Sequence, residues 1–314
     1  MDQPSDRAFG GARAIPWAVG ACLLWGSAFG VVKRLLEHAP PLTCAGWRFA
    51  LAGLLLLPLC LRRKVLRVSL RVHWRLIAAV CFLQTIVLYG TFFLGMNVIA
   101  GAQGAVILGS SPLVAALVAH VLIRGDRMTA GKAGTIALGM VGVVILAASS
   151  KPWSPAGLKE LAGMGLLTVG VLSSALAQVL VARTRHAVQP IALNSLQMGL
   201  GGLVLLAVAL VIEGPPRAVP PVHFFVELLW LAGVSAAGFS IWFALLRRVK
   251  YSYLNMWKFL IPVFGVVLSW LLVPGESPKW ETVTGTVFVA SAVLLTGLQT
   301  ARQQRSAAAI SQEG

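Results

Sequence analysis

The sequence predicts an all-α membrane protein whose ten transmembrane helices form two inverted five-helix repeats. Three observations carry this. The chain is 58% hydrophobic and only 11% charged over 314 residues, with a mean hydropathy of +0.83, whereas soluble domains carry roughly 25% charged residues. So few charges could not cover a water-facing surface, and the bilayer is the solvent that fits. The apolar residues gather into ten runs close to the ~20 residues that span a hydrocarbon core. Finally, the pattern repeats after 150 residues, with five runs in each half.

The first run, 15–34, follows Arg7 and Arg13 and ends at Lys33-Arg34. It shows no small-residue cleavage site before that pair, so it reads as a retained span rather than a signal peptide. Pro40-Pro41 leads into the second run, 42–61, and Arg62-Arg63-Lys64 closes it. The third, 75–95, and the fourth, 98–122, are separated only around Asn97, which makes a tight hairpin. The fifth, 130–148, stops before Lys151-Pro152 and Pro155, and the sixth covers 158–182. Gln189-Pro190 opens the seventh, 190–212, and Gly214-Pro215-Pro216 ends it. Pro220-Pro221 precedes the eighth, 225–246; Arg247-Arg248 divides it from the ninth, 252–273; Pro278 introduces the tenth, 279–299. Proline lacks an amide proton and fixes φ, and glycine admits turns, so both punctuate helices. No loop is long enough for a soluble domain. The expected organisation is a tail at 1–14, a first repeat at 15–148, a second at 158–299 and a tail at 300–314.

The basic residues test this count. With ten spans, eighteen lysines and arginines fall on one side, grouped as Arg62 to Arg75, Arg124 to Lys132 and Arg247 to Lys250 among others. Only six, Lys33, Arg34, Lys151, Lys159, Arg217 and Lys279, fall on the other. Cytoplasmic loops carry such an excess, which puts both termini in the cytoplasm and the protein in the inner membrane. The net charge of +16 is thus explained by topology on an anionic surface, and no nucleic-acid partner is expected.

A shift of 150 residues lays Pro112 on Pro262 and Gly125-Asp126 on Gly275-Glu276; one residue further, Gly134-Thr135 lies over Gly285-Thr286. Five spans per copy turn the second copy upside down. Inverted repeats are a transporter architecture with the site between the copies near mid-membrane.

Trp25-Gly26-Ser27-Ala28-Phe29 with Lys33, Trp47-Arg48-Phe49, Ser111-Pro112-Leu113 followed by Asp126, and Ile261-Pro262-Val263 followed by Gly275-Glu276 resemble, in order and spacing, the signatures of the drug/metabolite transporter superfamily, EamA-type branch. The resemblance runs from about Ile15 to Leu298, and departs where Asp126 stands for the more usual glutamate. It implies an inverted bundle, a central cavity, alternating access, and small-metabolite or drug substrates, with many bacterial members acting as exporters. Related small multidrug proteins rely on a buried glutamate in the first helix. Here that helix offers Trp25 and Ser27 and no carboxylate, so proton-coupled export of lipophilic cations by that route is not expected.

Ionisable groups inside a span are functional candidates by default. Lys258 lies one turn before Pro262, which removes the amide that would bond the Lys258 carbonyl; it either meets a substrate anion or snorkels to the surface. Arg48 is expected to take a structural role toward the outer surface, paired with Glu37, a helix-end carbonyl or a lipid phosphate. Polar and aromatic residues recur at helical spacing: Gln103, Ser110 and Ser111; Ser174 and Gln178; Thr85, Tyr89 and Phe92; Ser235, Phe239 and Trp242; Asn194, Gln197 and Gly201. One such stripe is usual helix packing; five in one bundle point to a lined cavity. The expected substrate site is Trp25, Tyr89, Gln103, Ser110, Ser111, Gln178, Trp242 and Lys258, with flat walls from the aromatics and hinges at Pro112 and Pro262. A solvent-sized void among these residues would speak for a carrier, and a solid interior for a scaffold or sensor.

Cys22, Cys44, Cys60 and Cys81 lie in or beside apolar runs, with no CxxC and no histidine at ligand spacing. They read as buried thiols, and no metal or cofactor is expected. No HExxH, paired buried carboxylates or phosphate-cradling loop occurs, so an enzyme is not expected. The reading is an exporter of amino acids or related carboxylate-bearing metabolites, with a sugar-phosphate or nucleotide-sugar-like anion carrier as the alternative. The partners are a small molecule and the lipid bilayer, with monomer and homodimer left open.

Overall fold

The computed structural model describes residues 14–61, 65–99, 101–148, 157–184, 188–215, 220–272 and 280–313. Among the described residues there are ten helical stretches and no strand. These are α1 Ala14–His38, α2 Pro41–Leu61, α3 65–98, α4 101–122, α5 Ala130–Ala148, α6 Leu158–Arg183, α7 Pro190–Ile212, α8 Val222–Leu246, α9 251–272 and α10 Trp280–Glu313. Six are long and apolar enough on their own to cross a membrane: α1, α2, the part of α3 from Arg71, α6, α7 and α8. Val106–Leu122, Ala130–Leu146 and Val283–Thr296 are shorter apolar cores within α4, α5 and α10. α10 continues as helix past the end of its apolar run, to a length of 34 residues.

Three helices are irregular. α3 kinks at His73 (φ −121°, ψ 23°) and passes through a π-helical stretch, Cys81–Val87. α4 divides at Ser110 into Gly101–Gly109 and Ser111–Leu122. α9 tightens into a 3-10 turn, Trp257–Phe259, between Tyr251–Met256 and Leu260–Leu272. The breaks in α4 and α9 come just before Pro112 and Pro262, the two prolines related by the repeat. Each proline deprives the carbonyl four residues back, of Leu108 and of Lys258, of its helical donor.

Helix pairing obeys the repeat. α2 packs on α7 and α5 on α10; the α1–α8 contact is matched by α6–α3, α1–α9 by α6–α4, and α2–α8 by α7–α3. Adding five to each helix number maps this set onto itself, as a two-fold axis between inverted halves requires. Glycine makes both axial pairs close. A Cβ on Gly202 would come 2.2 Å from the Ala50 amide nitrogen, and Cβ atoms on Gly142 and Gly285 would each come 2.8 Å from the other's carbonyl oxygen. Without a hydrophobic drive between helices in lipid, such close backbone packing holds them together.

The core has two buried clusters. One gathers Cys22, Phe49, Leu56, Trp242 and Phe259 toward the end of the bundle where α2, α4, α6 and α8 finish, here called the basic face. The other gathers Leu35, Phe93, Met96 and Leu231 toward the opposite face. Trp25, Leu51 and Tyr89 pack against both, which places them at the middle of the bundle.

Candidate functional site

α1, α2, α3 and α8 bring a chain of rings to that middle level. Trp25 packs on Phe239 and on Trp242, each with centroids 5.1 Å apart. Phe239 meets Tyr89 at 6.1 Å, and Tyr89 meets Phe49 at 4.1 Å. Gly238 makes room for Trp25, because a Cβ there would lie 2.9 Å from the indole nitrogen. That indole N–H is buried and finds no hydrogen-bond partner among the described residues.

A cation stands at each end of the chain. Lys258 lies 5.0 Å from the Trp242 ring centre and donates to the Gln178 side-chain oxygen at 3.1 Å. The Trp242 indole donates to the same oxygen, also at 3.1 Å, while the Gln178 amide nitrogen donates to Ser174 Oγ at 2.8 Å. At the far end Arg48 is 2% exposed. Its Nε donates to Ser235 Oγ at 2.9 Å, and its guanidinium carbon lies 5.2 and 5.5 Å from the Phe49 and Tyr89 ring centres. Among the described residues no carboxylate lies within ion-pair distance of either cation; the two ion pairs formed are Arg34–Glu227 and Lys132–Asp126. Both cations are therefore charges inside the bundle that hydrogen bonds and ring faces hold, and they lack a fixed counter-ion.

The structure thus joins four of the eight expected site residues directly, Trp25, Gln178, Trp242 and Lys258, and Tyr89 through Phe239. Ser110 hydrogen-bonds the Ile107 carbonyl at 2.6 Å and sits at the break in α4 with Ser111 as the next helical residue; neither is tied to the ring chain by a described bond. The Gln103 side chain lies outside the described residues, as does Gly275-Glu276. Arg48 is the residue sequence reasoning placed wrongly. It turns inward to Ser235, away from Glu37 and from lipid. The signal available was Arg48 and Ser235 each lying in a polar or aromatic patch of an otherwise oily helix. Thr85 of the α3 stripe meets the α7 stripe, donating to the Gln197 side-chain oxygen. All four cysteines are buried and none is in a disulfide.

Gln178, Trp242 and Lys258 touch one another, while Trp25, Tyr89 and Lys258 each keep part of their surface accessible. A small pocket with room for little more than a water molecule opens near the basic face, lined by Leu76, Val181, Thr184, Val188, Pro190, Leu193, Phe243 and Arg247. Phe243 is 6.0 Å from Phe239 and divides this pocket from the ring chain.

Both ends of the bundle are tied. On the basic face Asp126, set in its turn by Gly125 at φ +84°, caps the start of α9. It accepts from the Ser252 amide at 2.9 Å, from the Ser252 hydroxyl, and from Lys132 at 2.6 Å. Burial pushes this carboxyl up, but the bonds from Lys132 and Ser252 outweigh it and hold it below its ordinary value. On the opposite face Lys33 donates to the Met96 and Ile99 carbonyls at 2.5 and 3.0 Å. There Arg34 pairs with Glu227 at 2.9 Å, and His38 meets His223 at 2.9 Å. Glu213 caps α2 through the Leu42 and Thr43 amides at 2.7 and 2.9 Å.

Known proteins resemble this chain along most of its length. A profile described as the EamA-like transporter family matches residues 12–148 and again 161–298. The uncharacterized transporter YvbV of Bacillus subtilis (strain 168) is 24% identical over 93% of each chain. The S-adenosylmethionine/S-adenosylhomocysteine transporter of Chlamydia muridarum (strain MoPn / Nigg) is 27% identical over 81% of this chain and 82% of its own. Its namesake in Chlamydia trachomatis serovar D is 29% identical over 81% and 80%. A protein solved by crystallography superimposes with TM-score 0.77 over 90% of this chain and 96% of its own at 15% identity, a likeness of fold.

Proposed function

Because this chain belongs to the EamA-like transporter family, we propose that it exports amino acids or related carboxylate-bearing metabolites across the inner membrane by alternating access. The excess of lysine and arginine on the basic face supports its cytoplasmic placement. The observation that carries the substrate class is the convergence of Lys258 and Trp242 on one oxygen position, 3.1 Å from each donor. It lies beside a wall of rings and has no fixed carboxylate near it. A substrate carboxylate is the counter-ion this geometry lacks, and the rings suit a flat or apolar side group. Pro112 and Pro262, each beside a helix break, are the hinges. S-adenosylhomocysteine, one of the two compounds for which the Chlamydia relatives are named, joins an amino-acid carboxylate to a planar base and fits this description.

Arg48 favours a second reading. With a guanidinium at the far end of the same ring chain, an organic anion with a phosphate at one end and hydroxyl groups at the other, such as a sugar phosphate, also finds two anchors. Flux of labelled amino acids, S-adenosylhomocysteine and sugar phosphates in proteoliposomes separates the two. Carboxylate flux lost in Lys258→Met supports the first reading. Flux of cationic dyes with none for any carboxylate rejects it.

A further inference from the structure

Gln178 is the one acceptor shared by the two donors of the site, and its place there is more than packing. An empty carrier must close in order to turn over, and closing it buries the Lys258 ammonium and the Trp242 indole. Buried donors without acceptors are costly, a charged one most of all. The Gln178 side-chain oxygen takes both bonds at 3.1 Å, and Ser174 holds its amide nitrogen at 2.8 Å so that the oxygen faces them. The residue is 2% exposed. A carboxylate oxygen brings a full opposite charge to the ammonium, which a neutral amide oxygen lacks. A carboxylate therefore displaces the amide, while the amide does not trap the site.

We infer that Gln178 is a built-in surrogate for the substrate carboxylate: it satisfies Lys258 and Trp242 in the empty carrier, so that the unloaded protein closes and returns. The inference rests on the carboxylate reading above and adds a division of labour to it. Lys258 and Trp242 bind substrate, whereas Gln178 competes with it and serves the return step. Residue 178 accordingly sets both the charge selectivity and the ratio of net transport to exchange.

The test compares two fluxes of the same labelled panel, the amino acids and S-adenosylhomocysteine, in proteoliposomes. Net efflux needs the empty carrier to return; exchange against internal unlabelled substrate does not. Gln178→Leu removes the competitor and the surrogate together. It is expected to lower net efflux by about tenfold while exchange persists at an equal or lower KM. Gln178→Glu pairs permanently with Lys258 and is expected to raise the carboxylate KM in both assays by about a hundredfold or more. Ser174→Ala frees the amide and should shift net efflux the same way as Gln178→Leu, less far, in a protein whose core volume hardly changes. Exchange lost in Gln178→Leu as fully as in Lys258→Met overturns the surrogate role and leaves the carboxylate reading standing. Net efflux unchanged in both Gln178→Leu and Ser174→Ala overturns it too. A wild-type carrier that moves no carboxylate in either assay overturns both.

Discussion

At the scale of the residue, Arg48 and Lys258 pose the same physical question, and sequence position alone answers neither. A helix that is oily all round has no polar face to mark its inward side, so a lone base two turns from an end reads equally as snorkelling or buried. What decides is the neighbour, and neighbours come from another helix: Ser235 for Arg48, Gln178 for Lys258. Gln178 and Trp242 stood out because polar and aromatic groups recur at helical spacing, and Trp25 because of the family-like segment that holds it; that Arg48 joins them was not legible, because Ser235 is 187 residues away. Arg48→Lys keeps the charge but loses the planar group lying by Phe49 and Tyr89 and the Nε bond to Ser235. We expect it to impair transport nearly as much as Arg48→Met, by about tenfold or more in kcat/KM. Flux restored to wild-type level by lysine would mean that only charge matters there. Gly238→Ala is expected to cost about 1–3 kcal/mol by overpacking, since its Cβ would come 2.9 Å from an indole nitrogen that Phe239 and Trp242 wedge in place. A melting temperature in detergent equal to that of wild type would contradict this.

At the scale of the element, hydropathy and proline punctuation located the spans because both are properties of the local chain. The π stretch at Cys81–Val87 and the His73 kink were not legible, since they concern which carbonyl each amide chooses. The Asp126 cap is intermediate. Its Gly-Asp turn recurs in the family pattern, but its partner, the start of α9, is 126 residues on. The cap makes stability depend on pH in a stated direction. A carboxyl held below its ordinary value stabilises the fold fully above the unfolded pKa, about 3.9. That contribution fades as pH falls through the lower folded value. Asp126→Asn is therefore expected to melt a few degrees below wild type from pH 7 to about pH 5, with the gap closing below about pH 4 as the wild-type carboxyl takes its proton. A gap that widens on acidification would show that Asp126 is not held ionised by Lys132 and Ser252.

At the scale of the whole molecule, the internal repeat was legible from a few prolines and glycines. The pairing of α2 with α7 and α5 with α10 follows from it once one axis relates the halves. Each end of the bundle is tied, by Asp126 with Ser252 and Lys132 on the basic face and by Arg34 with Glu227 on the other. A carrier must break one set at a time, so locking either set should stop turnover while leaving the protein folded. Asp126→Cys with Ser252→Cys places a cross-link on the basic face; Arg34→Cys with Glu227→Cys places one on the other. The four native cysteines are buried and outside any disulfide and would be replaced by alanine or serine first. Each cross-link alone is expected to abolish net efflux and exchange, with recovery on reduction. Each should also leave substrate access from the uncrosslinked side, seen as protection of Trp fluorescence from a quencher. A cross-linked pair on both faces should exclude substrate altogether. If one lock blocks flux and the other leaves it untouched, the two faces are not alternative gates, and the equivalence that the repeat imposes on the fold does not extend to its motion.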